Sequence, residues 1–201
     1  MSRSAERRSA PRWARSLLVI VLACVCGAAR ARAQEMEVPV ALQLPLLLKV
    51  LSFDRQLSAR AGGTLVIAVA YQSGFRASAQ VKDEMLHAAA AIGPRTQIGG
   101  LTVHVVAIDL DQDDLVEGLE RSKATVVYLA PVRGIDVKAL SAMTRIAHVT
   151  TVTGVPRYVE QGLSVGVRLR GDRPQILVNL AASRFEGAEF GAELLKLVQV
   201  L

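Results

Sequence analysis

The residues most able to do chemistry are the acidic run Asp109-Leu110-Asp111-Gln112-Asp113 and Glu120, which imitate the carboxylate spacing of a calcium loop. The sixth position of that loop is Asp114, where a sharp turn requires glycine. The run therefore reads as a strand end followed by a helix whose acidic first turn complements its dipole and supplies the N-cap. The histidines, His87, His104 and His148, lack the short spacing with which zinc ligands converge, and His148 suits the C-terminal end of a helix. Hydrolysis needs a nucleophile beside a base, and the serines occur without a Gly-x-Ser-x-Gly elbow. Gly62-Gly63 precedes a predicted strand rather than joining a strand to a helix, the wrong context for a phosphate cradle. The expectation is a protein that is not an enzyme and uses neither metal nor cofactor.

The elements that must position these residues alternate. Residues 38–53 are nearly all apolar and too long for an ordinary strand, which predicts a buried helix containing Pro45. After the Ala61-Gly62-Gly63 turn, 64–71 (TLVIAVAY) reads as a strand covered on both faces. Residues 78–92 have helical spacing, with Val81, Met85 and Ala89 on one face and Gly93-Pro94 as the stop. Strands are then expected at 101–108, 124–130 and 149–152, with helices at 111–123 and 136–148. Segments 163–169 and 175–180 flank Arg170-Gly171-Asp172-Arg173-Pro174 as a hairpin, and 181–201 is expected to close the chain as one helix. This order predicts an α/β fold in a single domain: a mostly parallel central sheet with helices on both faces and a late antiparallel hairpin.

The first thirty-three residues read as an export signal. Arg3, Arg7, Arg8, Arg12 and Arg15 precede an apolar stretch at 16–28, and Ala31-Arg32-Ala33 supplies a small-x-small cleavage site. The division expected is a signal peptide at 1–33, cleaved after Ala33, and a domain at 34–201. The apolar stretch falls short of the roughly twenty residues of a membrane-spanning helix. Val21-Leu22-Ala23-Cys24 also resembles a lipobox, so lipidation at Cys24 stands as the alternative, while Arg7-Arg8 lacks the apolar pair of a twin-arginine signal. The chain's net charge of +6 resides in the leader, which holds seven arginines against one glutamate. The remainder carries seventeen basic against seventeen acidic residues, which removes the electrostatic footprint of a nucleic-acid binder. Both cysteines, Cys24 and Cys26, lie in the leader, so the remainder has neither disulfide nor thiol nucleophile.

In the C-terminal half the order of features becomes specific. A strand ending in Tyr128-Leu129-Ala130, a helix, Val149-Thr150-Thr151-Val152, a short helix closing at Gly162 and a hairpin are followed by Ile176-Leu177-Val178-Asn179-Leu180-Ala181-Ala182 and Glu193-Leu194-Leu195-Lys196-Leu197. Together they resemble the YfiR-like family of exported proteins, over roughly residues 47–201. The resemblance implies a periplasmic α/β domain that is regulatory and non-catalytic. The family's founding member is a dimeric repressor of an inner-membrane diguanylate cyclase in cyclic-di-GMP signalling. The implied partners are thus a membrane signalling protein with a periplasmic domain and a second copy of the chain. Ser52-Phe53-Asp54-Arg55 stands where the family usually has Trp-Pro, and the founding member's disulfides have no counterpart here. Asn179 is expected to cap the helix that follows it.

Open α/β sheets bind ligands outside the carboxyl ends of their strands. The residues predicted there are Tyr71, Gln72, Ser73, Phe75, Arg133 and Thr153, with Tyr158 in the next loop. Arginine and aromatic side chains make these loops the expected protein-binding surface. Phe75 and Tyr158 also have the plainer reading of covering the edge of the core. The alternative function is a small-solute-binding protein of single-lobe type, since such a sheet also resembles one lobe of periplasmic binding proteins.

Overall fold

The computed structural model describes residues 36–93 and 97–201, and the predicted signal peptide, with Cys24, lies outside them. Helix α1 (Val40–Leu51) buries Val40, Gln43, Leu44, Leu47, Leu48, Val50 and Leu51, the three-and-four spacing of one helical face. Pro45 sits on its exposed side, so the helix tolerates a missing amide hydrogen without wedging a ring into the core. A short α2 (Leu57–Ala61) ends at Gly62, whose φ of 58° turns the chain into β1 (Thr64–Tyr71). Helix α3 (Arg76–Ile92), β2 (Gln97–Ile98), β3 (Leu101–Asp109), α4 (Leu115–Ser122), β4 (Val126–Leu129), α5 (Val137–Ile146) and β5 (Thr150–Thr153) follow. The chain closes with α6 (Pro156–Glu160), β6 (Val165–Arg170), β7 (Arg173–Val178), α7 (Leu180–Phe185), α8 (Ala192–Leu195) and β8 (Gln199–Val200).

The strands form one sheet in the order β2-β3-β1-β4-β5-β6-β7-β8. Pairing is parallel from β3 through β6 and between β7 and β8, and antiparallel at β2/β3 and in the β6/β7 hairpin. The fold is therefore α/β, with the predicted hairpin present. Alternate residues of β1 face two cores. Leu65, Ile67 and Val69 meet α1 and α3, whereas Val66, Ala68 and Ala70 meet the layer holding Leu115 and Leu119 of α4 and Val137 of α5. That double burial explains why β1 is an uninterrupted apolar run rather than an alternating one.

Caps set several boundaries. Asp114 accepts hydrogen bonds from the amides of Val116 and Glu117, so α4 starts at Leu115 and not at 111 as expected. Asp136 caps α5 through the Lys138 amide, and Asn179 caps α7 through the Ala182 amide, the role expected of it. The hairpin loop is only Gly171-Asp172, and Pro174 lies within β7 opposite Leu169.

The single closing helix expected over 181–201 is corrected. Glu186 turns inward and is fully buried, and Gly187, at φ 83°, redirects the chain. Phe190 then bridges Asp54, and the last residues form β8 beside β7. Two glycines and an inward carboxylate override the helical propensity of the neighbouring alanines and leucines.

Candidate functional site

The strand order reverses between β1 and β4, and the loops leaving β1, β3 and β4 meet above their carboxyl ends. Gln72 spans the three. Its Nε2 donates to Asp111 Oδ1 at 3.1 Å, its Oε1 accepts from the Arg133 amide at 2.7 Å, and its own amide donates to Ser78 Oγ at 3.0 Å. The neighbouring amides are also held: Ser73 N–H donates to Asp109 Oδ1 at 3.0 Å and Gly74 N–H to Asp111 Oδ2 at 2.7 Å. A Cβ on Gly74 would stand 3.1 Å from that same Asp111 oxygen, so the absence of a side chain permits this close approach.

Electrostatics reinforce the geometry. Burial pushes the Asp109 carboxyl up, but hydrogen bonds from Ser73 and the Asp111 amide, together with the charge of Lys82, outweigh it and leave it below its ordinary value. Lys82 also lies over the Tyr71 ring, 5.1 Å from its centroid, and the Arg133 guanidinium lies 4.6 Å from the centre of the Phe75 ring. Ser73, Gly74 and Arg133 are exposed, while Tyr71, Gln72 and Phe75 are half-buried.

Of the seven residues predicted for this end of the sheet, the structure brings Gln72, Ser73, Phe75 and Arg133 into one surface, with Tyr71 beside it. Thr153 and Tyr158 are buried below. Thr153 Oγ1 donates to the Leu129 carbonyl and accepts from the Val155 amide, and the Tyr158 hydroxyl accepts from the Val132 amide at 3.0 Å. Their observed work is to support the β4 loop from inside, the plainer reading of Tyr158. Sequence reasoning missed Asp109 and Asp111 as members of this surface. Their carboxylates accept from loop amides, Asp113 pairs with Arg121 at 3.1 Å, and Asp114 caps α4, so each acid of the run has a structural partner. Among the described residues no three His, Cys, Asp or Glu side chains converge in a metal cage.

Two further polar centres lie inside the protein. Gln43 Nε2 donates to the Val38 carbonyl and its Oε1 accepts from the Tyr128 hydroxyl, both at 2.7 Å, which rivets α1 to the sheet. Glu186 accepts from the Thr151 amide at 2.8 Å, from Thr151 Oγ1 at 2.7 Å and from Ser164 Oγ, and Thr144 Oγ1 lies 3.4 Å away. Burial pushes its carboxyl up to about 7 despite these donors and the charge of Arg145. Beside it Arg60 donates to Asp54 at 2.7 Å, to Thr150 Oγ1 at 2.9 Å and to the Glu186 and His148 carbonyls. Cavities of about 570 and 740 Å³ lie elsewhere, one between α1, α3 and β3 and one where Ala41 and Pro45 of α1 face Asp83, Glu84 and His87 of α3.

Among the described residues no helix is long and apolar enough to cross a membrane. No curated protein matches the chain. Among solved structures, a conserved domain protein from Vibrio cholerae is similar at 12% identity and a TM-score of 0.55, covering 81% of this chain and 60% of that one. A ligand-free substrate-binding protein with adhesive properties from Clostridium difficile is similar at 15% identity and a TM-score of 0.49, covering 73% and 57%. The chain thus spans less than two thirds of the solved proteins it resembles. The YfiR/HmsC-like family matches residues 47–199, from the middle of α1 to β8. That match takes in β1 to β7, the first residue of β8 and the whole Gln72-centred surface, and on it the chain belongs to the YfiR/HmsC-like family.

Proposed function

We propose that this protein is an exported, non-catalytic regulatory domain that works in the periplasm by binding another protein. The partner is the outward-facing part of an inner-membrane signalling enzyme of the diguanylate cyclase class, and the domain acts as a homodimer. The observation that carries this reading is family membership over 47–199. The Gln72-centred surface supports it, because a half-buried phenyl ring stacked under an exposed arginine on tightly held backbone is the composition of an interface anchor.

The alternative, a single-lobe solute-binding protein, has weaker support. The crevice between β1 and β4, where such a fold would seat a solute, is spanned by the Gln72 side chain.

The test is affinity capture of residues 34–201 from envelope fractions of the source cells, followed by mass spectrometry. The expected catch is an inner-membrane signalling protein with an external domain, and Phe75→Ala and Arg133→Ala should each lose it. Capture of no specific partner, or a partner retained by both variants, would count against the reading.

A further inference from the structure

The sheet ends differently at its two edges. Strand β3 pairs with β1 without interruption from Thr102 to Asp109, and no bulge breaks the register. The Thr102 amide donates to the Gly63 carbonyl and the Leu110 amide to the Tyr71 carbonyl. Even-numbered residues of β3 therefore turn their backbone groups to β1, and Val103, Val105, Ala107 and Asp109 turn theirs to the outside. Among the described residues β2 covers only Leu101 and Thr102 of that outer side. An open edge is ordinarily blunted by lysine, proline or a bulge. The opposite edge follows that rule: β8 reaches only Leu177 and Val178 of β7, and the part of β7 left beyond it holds Arg173 and Pro174. From Val103 to Ile108 the β3 edge carries none of these devices. The apolar cavity of about 570 Å³ is bordered by Thr102, Val103, His104 and Val105, so apolar surface adjoins the unpaired backbone.

We propose that β3 is the homodimer interface: two copies join antiparallel through it about a two-fold axis at Val106, and their sheets become one. The proposal rests on the reading of the domain as a homodimer and names the surface that makes it. What selects a second copy is the fit of the free segment to itself. With Val106 opposite the partner's Val106, Val105 faces the partner's Ala107 and Val103 the partner's Asp109. Val105 and Ala107 both have outward backbone groups, so they exchange N–H···O bonds in both directions. The Asp109 amide meets the partner's Val103 carbonyl, while the Asp109 carbonyl already accepts from the Gln112 and Asp113 amides. The partner's chain turns away at Leu110, where β2 begins on this copy, so both fit on one edge. An axis at Val105 would set the partner's Ile108 and Asp109 on top of β2, and one at Ala107 would leave Val103 unpaired. Charge is no obstacle. Asp109 is the one carboxylate of β3, its two copies lie at opposite ends, and His104 faces the partner's Ile108. On the flanking helices Lys82 pairs with Asp83, and α4, whose Gly118 packs on Ile108, carries both signs in Glu117, Glu120 and Arg121. A two-fold pairing closes on itself, whereas β3 joined to the opposite edge would repeat without end.

The test uses cysteine cross-linking of the protein purified from the envelope, since no cysteine follows Cys26 in the chain. In this register the two Val106 residues form a non-hydrogen-bonded pair with Cα atoms about 4.5 Å apart, within the span of a disulfide. Val106→Cys should therefore link to its own copy under mild oxidation, with the parent protein as blank. His104→Cys should not, since its two copies stand about 13 Å apart along the strands. In sedimentation the parent protein should be a dimer. Ala107→Lys, at an exposed position, should lose the dimer while its circular dichroism stays that of the folded chain. The proposal is overturned if Val106→Cys stays unlinked in a dimeric protein, if His104→Cys links equally, or if Ala107→Lys remains a dimer. Each of those results leaves the homodimer and the regulatory reading intact. A parent protein that is monomeric throughout overturns both the homodimer and this interface, and open-ended assembly overturns the two-fold. A monomeric parent whose envelope partner is lost with Ala107→Lys would show that another protein adds its strand to β3, which overturns the second copy.

Discussion

Glu186 holds a carboxyl among hydroxyl and amide donors at 0% exposure, with its nearest cations reaching it only through Arg145's field and through its own backbone carbonyl. Its value is raised from 4.5 to about 7, so the fold favours the neutral form. The stability this group contributes is complete below its unfolded value and is lost as pH rises through about 7. The loss is on the order of 3 kcal/mol at most. The melting temperature should therefore fall between about pH 5 and pH 8, and Glu186→Gln should flatten that slope; an unchanged slope would assign it to other groups. Gln72 has a different kind of importance. Gln72→Ala removes the acceptor for the Arg133 amide and the donor to Asp111 without opening the core. The expected cost is about 1 kcal/mol, with faster hydrogen exchange at the Arg133 amide as its local signature.

Elements meet through small points of contact that packing alone would not locate. Gly154 lies against Gln43, and a Cβ there would stand 2.3 Å from Gln43 Oε1. Because Gln43 is fixed at both ends and buried, it cannot move aside. Gly154→Ala should cost about 2 to 3 kcal/mol in chemical denaturation, by dislodging α1 from β4. The ends of α4 and α5 suggest a gain instead. Lys123 and His148 follow those helices with φ of 54° and 52°, a left-handed conformation that non-glycine residues adopt at a cost. Lys123→Gly should stabilise by about 0.5 to 1 kcal/mol, seen as a higher melting temperature. At this scale the sequence was most readable where one physical signal dominated. The apolar run of β1 and the Gly93 stop of α3 were plain, and Asn179 announced its cap, whereas Asp114 did not, because the helix it caps was expected to start at 111. It was least readable at 186–191, where an inward carboxylate, two glycines and a bridge to Asp54 decide the path through partners far away in sequence.

Across the whole molecule, the two ends of the described chain are both tied to the sheet. The Glu37 carboxylate accepts from the Leu169 amide at 2.7 Å, and the Leu201 amide donates to the Val178 carbonyl at 2.9 Å. Intact-mass measurement of protein isolated from the cell envelope should give a chain beginning at Gln34; a lipid-modified Cys24 at its start would replace the cleavage reading with the anchored one. The site was legible in outline from topology, since the rule about strand ends selects Gln72, Ser73, Phe75 and Arg133. Asp109 and Asp111 were visible as acids but not as partners of the β1 loop, because their targets are amides thirty-six and thirty-seven residues away. That division of labour has an evolutionary consequence. Gln72, Asp109 and Asp111 grip backbone amides, with the Ser73 side chain also on Asp109, whereas Phe75 and the Arg133 guanidinium stacked on it carry the side chains that the proposed partner would read. On the proposed reading, recognition diversifies by exchanging Phe75 and Arg133 while the clasp beneath is kept, so a change of partner need not cost the fold its stability.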